Sequence, residues 1–316
     1  MRILAFVVSA IIPVLILLSN LPQAPIAAVF GNRLHLISQV RVIFGGDMMF
    51  DRSIRKTIDE YGGNYIFSCI DETLKGADFI IANLEGPITE NLSISASSTP
   101  GDGKNYTFTF ATSTAPLLFA HNIRIVNLGN NHIQNFGVDG VLSTISLLSN
   151  SKISFFGDPI SDTILEIEAK KVKLAFIGYN EFSSKNISHP GEGSASTSIM
   201  QVESERANGY LPIVYTHWGV EYATTSPERI QKLAHRFIDA GAEIVIGSHP
   251  HVVEENEIYK GKNIYYSLGN FIFDQYFSVA VRHGLLLQVI FGKVGVLSIK
   301  EVPIELGQDR RTCPVG

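Results

Sequence analysis

Six short apolar runs in this 316-residue chain end in residues able to bind a metal ion or move a proton. Val40–Phe44 runs into Gly45-Gly46-Asp47-Met48-Met49, and Asp78–Ala82 runs into Asn83-Leu84-Glu85-Gly86. Arg124–Leu128 leads to Gly129-Asn130-Asn131-His132, and Leu211–Thr216 leads to His217-Trp218-Gly219. Glu243–Ile246 ends in Gly247-Ser248-His249-Pro250-His251, and Asn263–Ser267 ends in Leu268-Gly269-Asn270-Phe271. In open α/β sheets, ligands bind beyond the carboxyl ends of the strands, where several loops converge. Glycines in those turns let the backbone fold sharply and come close to a ligand. One polar residue after a strand is a turn or a cap. Six such ends together, with two carboxylates, several His and an Asn, point to a metal site. Mixed nitrogen and oxygen donors without thiolate suit Zn, Fe or Mn. The imidazoles disfavour an oxygen-bound cation such as Ca. His249 and His251 flank a proline, and on an extended segment they would project the same way.

The elements that must position these residues read as follows. The six runs, together with Val172–Gly178 and Leu285–Phe291, are β-branched strand candidates. Helical patterns fall at Ser53–Tyr61, Tyr65–Lys75, Val138–Ser149 and Pro227–Ala240. In the last, Ile230, Leu233, Ala234, Phe237 and Ile238 recur at helical spacing, with Ser226 expected as the N-cap and Pro227 in the first turn. This alternation predicts an α/β domain with a largely β core. Leu92–Tyr106 and Ser183–Ser198 read as surface loops, and Gln308–Gly316 as a frayed tail. The expected organisation is an export segment at 1–30, one domain at 38–305 and a tail at 306–316.

Arg2 precedes Ile3–Leu18, which is apolar on every face and broken only by Ser9 and Pro13. A leading charge before such a stretch fits an export signal, either cleaved or retained as an anchor, so the remainder is expected outside the cytoplasm. Two cysteines, Cys69 and Cys313, make no disulfide framework, and their pairing stays open. A net charge of −5 without a basic stripe excludes nucleic acid as an expected partner. No G-x-S-x-G elbow supports a serine hydrolase.

Gly46-Asp47-x-Met49-x-x-Arg52, Asn83-Leu84-Glu85, Asn130-Asn131-His132, His217-Trp218-Gly219-x-Glu221, His249-Pro250-His251 and Ser267-Leu268-Gly269-Asn270-Phe271-x-Phe273 follow in that order. Together they resemble the CapA family of capsule or poly-γ-glutamate biosynthesis proteins, related to calcineurin-like metallophosphoesterases. The resemblance spans residues 41–292. It implies an α/β fold, a four-layer α/β/β/α sandwich of metallophosphoesterase type, with a dinuclear metal site at the sheet edge. It also implies an outward-facing protein, membrane-anchored or secreted.

Carried over position by position, the resemblance has Asp47 and His251 on a first ion and Glu85 bridging to a second. Asn131, His217 and His249 would hold that second ion. His132, bound to neither, would act with Asp47 in catalysis by protonating a leaving oxygen. Two departures stand out: Met49 replaces a ligand histidine, and Asn135 replaces an aspartate after the Asn-Asn-His run. Arg52 would orient an anionic substrate through paired N–H donors. Glu221 and Asp274 would orient metal-bound histidines, and Asn83 and Asn270 complete the supporting set. Trp218 would shape the pocket wall. The implied cofactor is one or two divalent transition ions (Mn, Fe or Zn), acidifying water and clamping an anionic group. The implied activity is a phosphoesterase-like, metal-dependent hydrolase serving synthesis or export of an anionic envelope polymer. The alternatives are a non-catalytic polymer-binding component and a phosphoesterase on another substrate. Implied partners are the polymer or a phosphate substrate, polymer-synthase subunits, and the membrane through the N-terminus.

Overall fold

The structure, a computed structural model, describes residues 38–183 and 192–315. The export segment expected at 1–30 lies outside the described residues. No helix among the described residues is long and apolar enough to cross a membrane.

The chain begins one sheet with β1 (Val40–Met48), α1 (Arg52–Tyr61), β2 (Phe79–Leu84), α2 (Thr114–Ala120), β3 (Ile123–Asn127), α3 (Gly137–Asn150) and β4 (Ser154–Phe156). A second sheet follows from β5 (Leu165–Ala169), β6 (Val172–Asn180), α4 (Glu192–Ala207), β7 (Leu211–His217), α5 (Glu228–Ala240), β8 (Ile244–Ser248), β9 (Asn256–Tyr259) and β10 (Lys262–Tyr265). The chain then returns to the first sheet through β11 (Asn270–Ile272), β12 (His283–Gly292), β13 (Gly295–Leu306) and β14 (Thr312–Pro314). The first sheet runs β14-β13-β12-β1-β2-β3-β4, with β11 also paired to β1, and the second runs β5-β6-β7-β8-β10-β9. Strands β1 to β4 are mutually parallel, as are β6, β7, β8 and β10, so each set ends its strands along one edge.

Period-two alternation explains the layers. In β1, Val40, Val42 and Phe44 enter a core shared with β6, β7 and β8 residues such as Leu174, Ile213 and Ile246. Ile43, between them, faces the other way and joins Ile54 of α1, Leu118 of α2 and Leu148 of α3. A third core packs Val214 and Val245 against Val202 of α4 and Leu233 and Phe237 of α5. Helices, sheet, sheet and helices thus form a four-layer α/β/β/α sandwich with three separate apolar interiors. The Tyr215 hydroxyl on β7 donates to the Gly45 carbonyl on β1 and ties the two sheets near their functional edge.

Several local expectations are revised. Part of the loop expected at Ser183–Ser198 is the start of α4. Pro227, rather than Ser226, occupies the N-cap position of α5, and the Ser226 hydroxyl donates to Glu255 instead. The expected tail is ordered through β14: β14 pairs with β13, and Cys313 is disulfide-bonded to Cys69, 244 positions earlier in sequence, with Cα atoms 4.9 Å apart. Trp218 is fully buried in the helix-side core, where its indole N–H donates to the Tyr266 carbonyl, so it does not line a pocket.

Candidate metal centre

Parallel register brings four polar residues into one row across adjacent strands. Asn270 of β11 pairs with Asp47 of β1, Asp47 with Asn83 of β2, and Asn83 with Asn127 of β3. All four are fully buried. Such a row survives in a core only because its members satisfy one another. Asn127 Nδ2 donates to Asn83 Oδ1 at 3.1 Å, and Asn83 Nδ2 donates to Asp47 Oδ1 at 2.8 Å. Gly46 makes the close approach of β11 possible: a Cβ there would lie 1.8 Å from the Gly269 carbonyl oxygen, which accepts the Asp47 N–H at 3.0 Å.

The histidine segment after β8 does not continue as an extended strand. His249 has φ 97° and His251 φ 59°, left-handed backbone that costs a non-glycine residue energy and that concentrates at functional sites. The extended segment expected there is therefore not formed, yet the two rings stand 6.0 Å apart at the same cluster and meet different neighbours. His251 Nδ1 lies 3.0 Å from Asn270 Oδ1 and 3.3 Å from Asp47 Oδ2. The Asn270 amide is oriented by donating to the Gln275 side chain and the Val281 carbonyl, both at 3.0 Å, which leaves its oxygen to accept from His251. With Nδ1–H so engaged, His251 Nε2 turns a lone pair toward Glu85 Oε1, 3.6 Å away. His249 instead meets His217, ring nitrogen to ring nitrogen at 3.2 Å, and its backbone N–H donates to Asp47 Oδ2 at 3.0 Å.

Glu85 is the unusual member. It is fully buried, and neither carboxylate oxygen has a hydrogen-bond partner. Around its Oε1 stand three imidazole Nε2 atoms: His251 at 3.6 Å, His132 at 3.9 Å and His217 at 4.0 Å. These gaps are too long for hydrogen bonds. Two ligands each about 2.1 Å from one ion stand roughly 3–3.5 Å apart, so the ring resembles a donor set waiting to close slightly on a cation. Ligand atoms of Asp47, Glu85 and His251 all lie within 4.8 Å of one another. Asn131 Oδ1 lies 2.9 Å from His217 Nε2, which places Asn131, His217 and His249 as a second, neutral group beside the first. The donors present fit a divalent cation.

Electrostatics separate the two carboxylates. Burial alone would raise the Asp47 carboxyl, but its hydrogen bond to His251, the electrostatic pull of the His251 and His217 rings and the Asn83 amide hold it well below the usual range. Burial pushes the Glu85 carboxyl well up, and the charge of Asp47 adds to the push. Burial also pulls His132 down to about 4 and His249 to about 3, so both imidazoles are neutral, as the candidate ligand His249 must be.

The remaining expected residues fall as follows. His132 stacks on Phe108 at 4.4 Å, and its Nδ1 lies 3.2 Å from Asn135 Oδ1, which shows that an amide at that position still orients the ring. Met49 is buried in the core between the first sheet and α1 to α3, where its sulfur accepts the Asp51 N–H. Arg52 pairs with Asp274 beside the cluster, and Asp274 also accepts from the Ser53 N–H and hydroxyl. Asp274 thus holds Arg52, and among the described residues it has no bond to a histidine. Glu221 is exposed and reaches Glu85 through its charge alone.

One strand end escaped the sequence reading. β6 runs past Gly178 to Asn180, and Phe182 beyond it lies 4.2 Å from the His249 ring. Glu181 accepts the Gly219 N–H at 2.9 Å and pairs with Arg229. The polar run Asn180-Glu181 after a β-branched strand was the available signal.

Known proteins share both the sequence and the architecture. Over 274 residues, 83% of this chain and 70% of the relative, the chain is 29% identical to the PGA biosynthesis protein CapA of Bacillus subtilis (strain 168). It is also 29% identical over 275 residues to the capsule biosynthesis protein CapA of Bacillus anthracis, covering 83% of this chain but 66% of that protein, just under two thirds. A crystal structure of a hypothetical protein from Thermus thermophilus superposes with a TM-score of 0.53 at 18% identity, covering 84% of this chain and 99% of that one, and so shares the fold. The model of the bacterial capsule synthesis protein family PGA_cap matches residues 41–275, most of the described domain, and the chain belongs to that family.

Proposed function

We propose that this protein acts in capsule or poly-γ-glutamate biosynthesis on the outer side of the membrane, as a metal-dependent hydrolase of an anionic envelope polymer or a phosphate-bearing intermediate. The observation that carries the reading is Glu85: a buried acid with no partner, ringed by three imidazole nitrogens. A buried carboxylate must be neutralised by a proton or by a cation, and the imidazole nitrogens ranged around Glu85 favour a cation. Asp47, Glu85 and His251 would hold one divalent Mn, Fe or Zn ion, and Asn131, His217 and His249 with Glu85 would hold a second. When bound, such ions supply positive charge that activates water and clamps an anionic oxygen.

The chain's own residues do the rest. Asn270 and Ser248 fix the His251 and His217 rings from behind. Asn135 holds the Nδ1 side of His132 and leaves Nε2 facing the cluster. Nε2 of the neutral ring carries no proton, so an anionic substrate beside it would raise the pKa of His132 from about 4, letting Nε2 take a proton from solvent and then pass it to the leaving oxygen. The Cys69–Cys313 disulfide supports the outward placement, since such bonds persist in oxidising compartments.

The test is metal analysis of the full chain after loading with Mn or Zn, with hydrolysis of 4-nitrophenyl phosphate as the activity readout. One or two equivalents of metal, and turnover abolished in His249→Ala, are expected. A second reading, a non-catalytic polymer-binding component, draws on Met49, whose sulfur is engaged in the core and leaves the first ion short of a ligand. A protein that binds poly-γ-glutamate but neither holds metal nor turns over would establish that second reading.

A further inference from the structure

A groove of about 360 Å³ opens beside the metal centre, between the start of α1, the loop at 95–106 and residues 222 and 274–277. Its walls are continuous with the centre. The Tyr222 ring lies 6.1 Å from His251, and Gln275 bridges inward and outward, accepting from Asn270 and donating to the Tyr222 hydroxyl at 3.1 Å. The loop wall is built rather than loose. Ser93 Oγ donates to Asp51 Oδ1 at 2.6 Å, the buried Asn105 donates to the Ser95 carbonyl and to Ser98 Oγ, and Arg52 donates to Asn105.

Two cations line this groove from one face of α1. Arg52 and Lys56 are four residues apart, one turn, with a rise of about 6 Å between them. Their situations differ. Arg52 is paired with Asp274 and covered by Phe108 and Phe273, at 5.0 and 5.5 Å from the ring centroids. Lys56 is exposed and has no hydrogen bond or ion pair among the described residues. The free positive charge of the groove is therefore one ammonium, set among hydroxyl and amide groups, with the Asp274 carboxylate on the same wall. With Asp274 neutralised by Arg52, the wall carries one net positive charge, too little to hold a densely charged chain such as polyphosphate. It suits a chain whose negative charges are spaced by polar, uncharged links.

We propose that the groove is a subsite for the neighbouring repeat of an acidic polyamide chain, with Lys56 binding one of its side carboxylates while the reacting repeat lies at the metal centre. The subsite rests on the function proposed above and adds its reader. Among the described residues Lys56 has no structural partner to lose, so its replacement leaves the fold intact.

The experiment measures binding of a fluorescent γ-linked glutamate hexamer to the metal-loaded full chain by anisotropy. Lys56→Met should weaken binding by about tenfold and flatten its salt dependence, with Lys56→Glu weaker again, while bound metal and melting temperature stay unchanged. If the parent protein binds the hexamer and Lys56→Met binds it equally well, the subsite is wrong and the function stands. If the parent holds metal but binds no hexamer, the polymer reading itself fails. Tighter, Lys56-dependent binding of inorganic polyphosphate would overturn the polyamide assignment.

Discussion

Glu85 and Glu254 are both buried acids whose oxygens lack hydrogen-bond partners, yet they sit in opposite kinds of neighbourhood. Glu254, three residues past His251, is raised to about 8 by burial and by the adjacent Glu255, and among the described residues it has no ion pair. Glu85 is raised by burial and Asp47, and three imidazoles surround it. An orphaned carboxylate alone therefore does not define a metal site. What distinguishes Glu85 is a ring of imidazole donors at distances that a cation would bridge. Glu254 can relieve its burial only by keeping its proton.

Three experiments break or sharpen that contrast. The largest effect is expected for Glu85→Gln, which should lower metal affinity by at least about 100-fold, the upper range for supporting residues alone. The same change should raise the melting temperature of the metal-free protein, because it removes an unpaired buried acid. Calorimetric titration with Zn or Mn and thermal melts read both arms, and retained affinity would remove Glu85 from the centre. Next comes Asn270→Ala, which frees the back of the His251 ring and should cost about 10–100-fold in metal affinity by the same titration. An unchanged titration would show that the Asn270 amide does not position His251.

The smallest effect is expected for Glu254→Gln, with metal affinity unaltered. Below about pH 4.5 both folded and unfolded Glu254 are protonated and the residue costs nothing. As pH rises toward 8 the unfolded chain ionises while the folded acid resists, so stability falls across that window. Glu254→Gln should thus raise the melting temperature by about 3–5 °C at pH 8.5 and leave it unchanged at about pH 3.5. A gain equal at both pH values would show that the acid is not held protonated by burial.

Much of the site was legible because strand ends advertise themselves. Asp47, Glu85, Asn131, His217, His249 and His251 each follow a β-branched run, and the fold brings all six to one edge. What local pattern could not reveal was direction. The left-handed backbone at His249 and His251 depends on the loop after β8, and Trp218 faces a core because of strand parity at β7. Asp274 found Arg52, a partner 222 positions away, which no spacing rule foresees. α4 went unread because its Ser- and Glu-rich sequence lacks an apolar stripe, and β14 because three residues, one of them a cysteine, resemble a tail.

The Cys69–Cys313 bond turns most of the domain into a covalent ring. The whole second sheet, the first sheet apart from β1 and the last residue of β14, every metal candidate except Asp47 and the entire wall at 95–106 lie inside that circle. A single proteolytic nick anywhere between the two cysteines leaves one molecule, its pieces still joined, and only reduction would release them. For a protein placed outside the membrane, as proposed above, such a ring would allow a cut surface loop to be survived, with the strands on either side held in register to keep the site assembled.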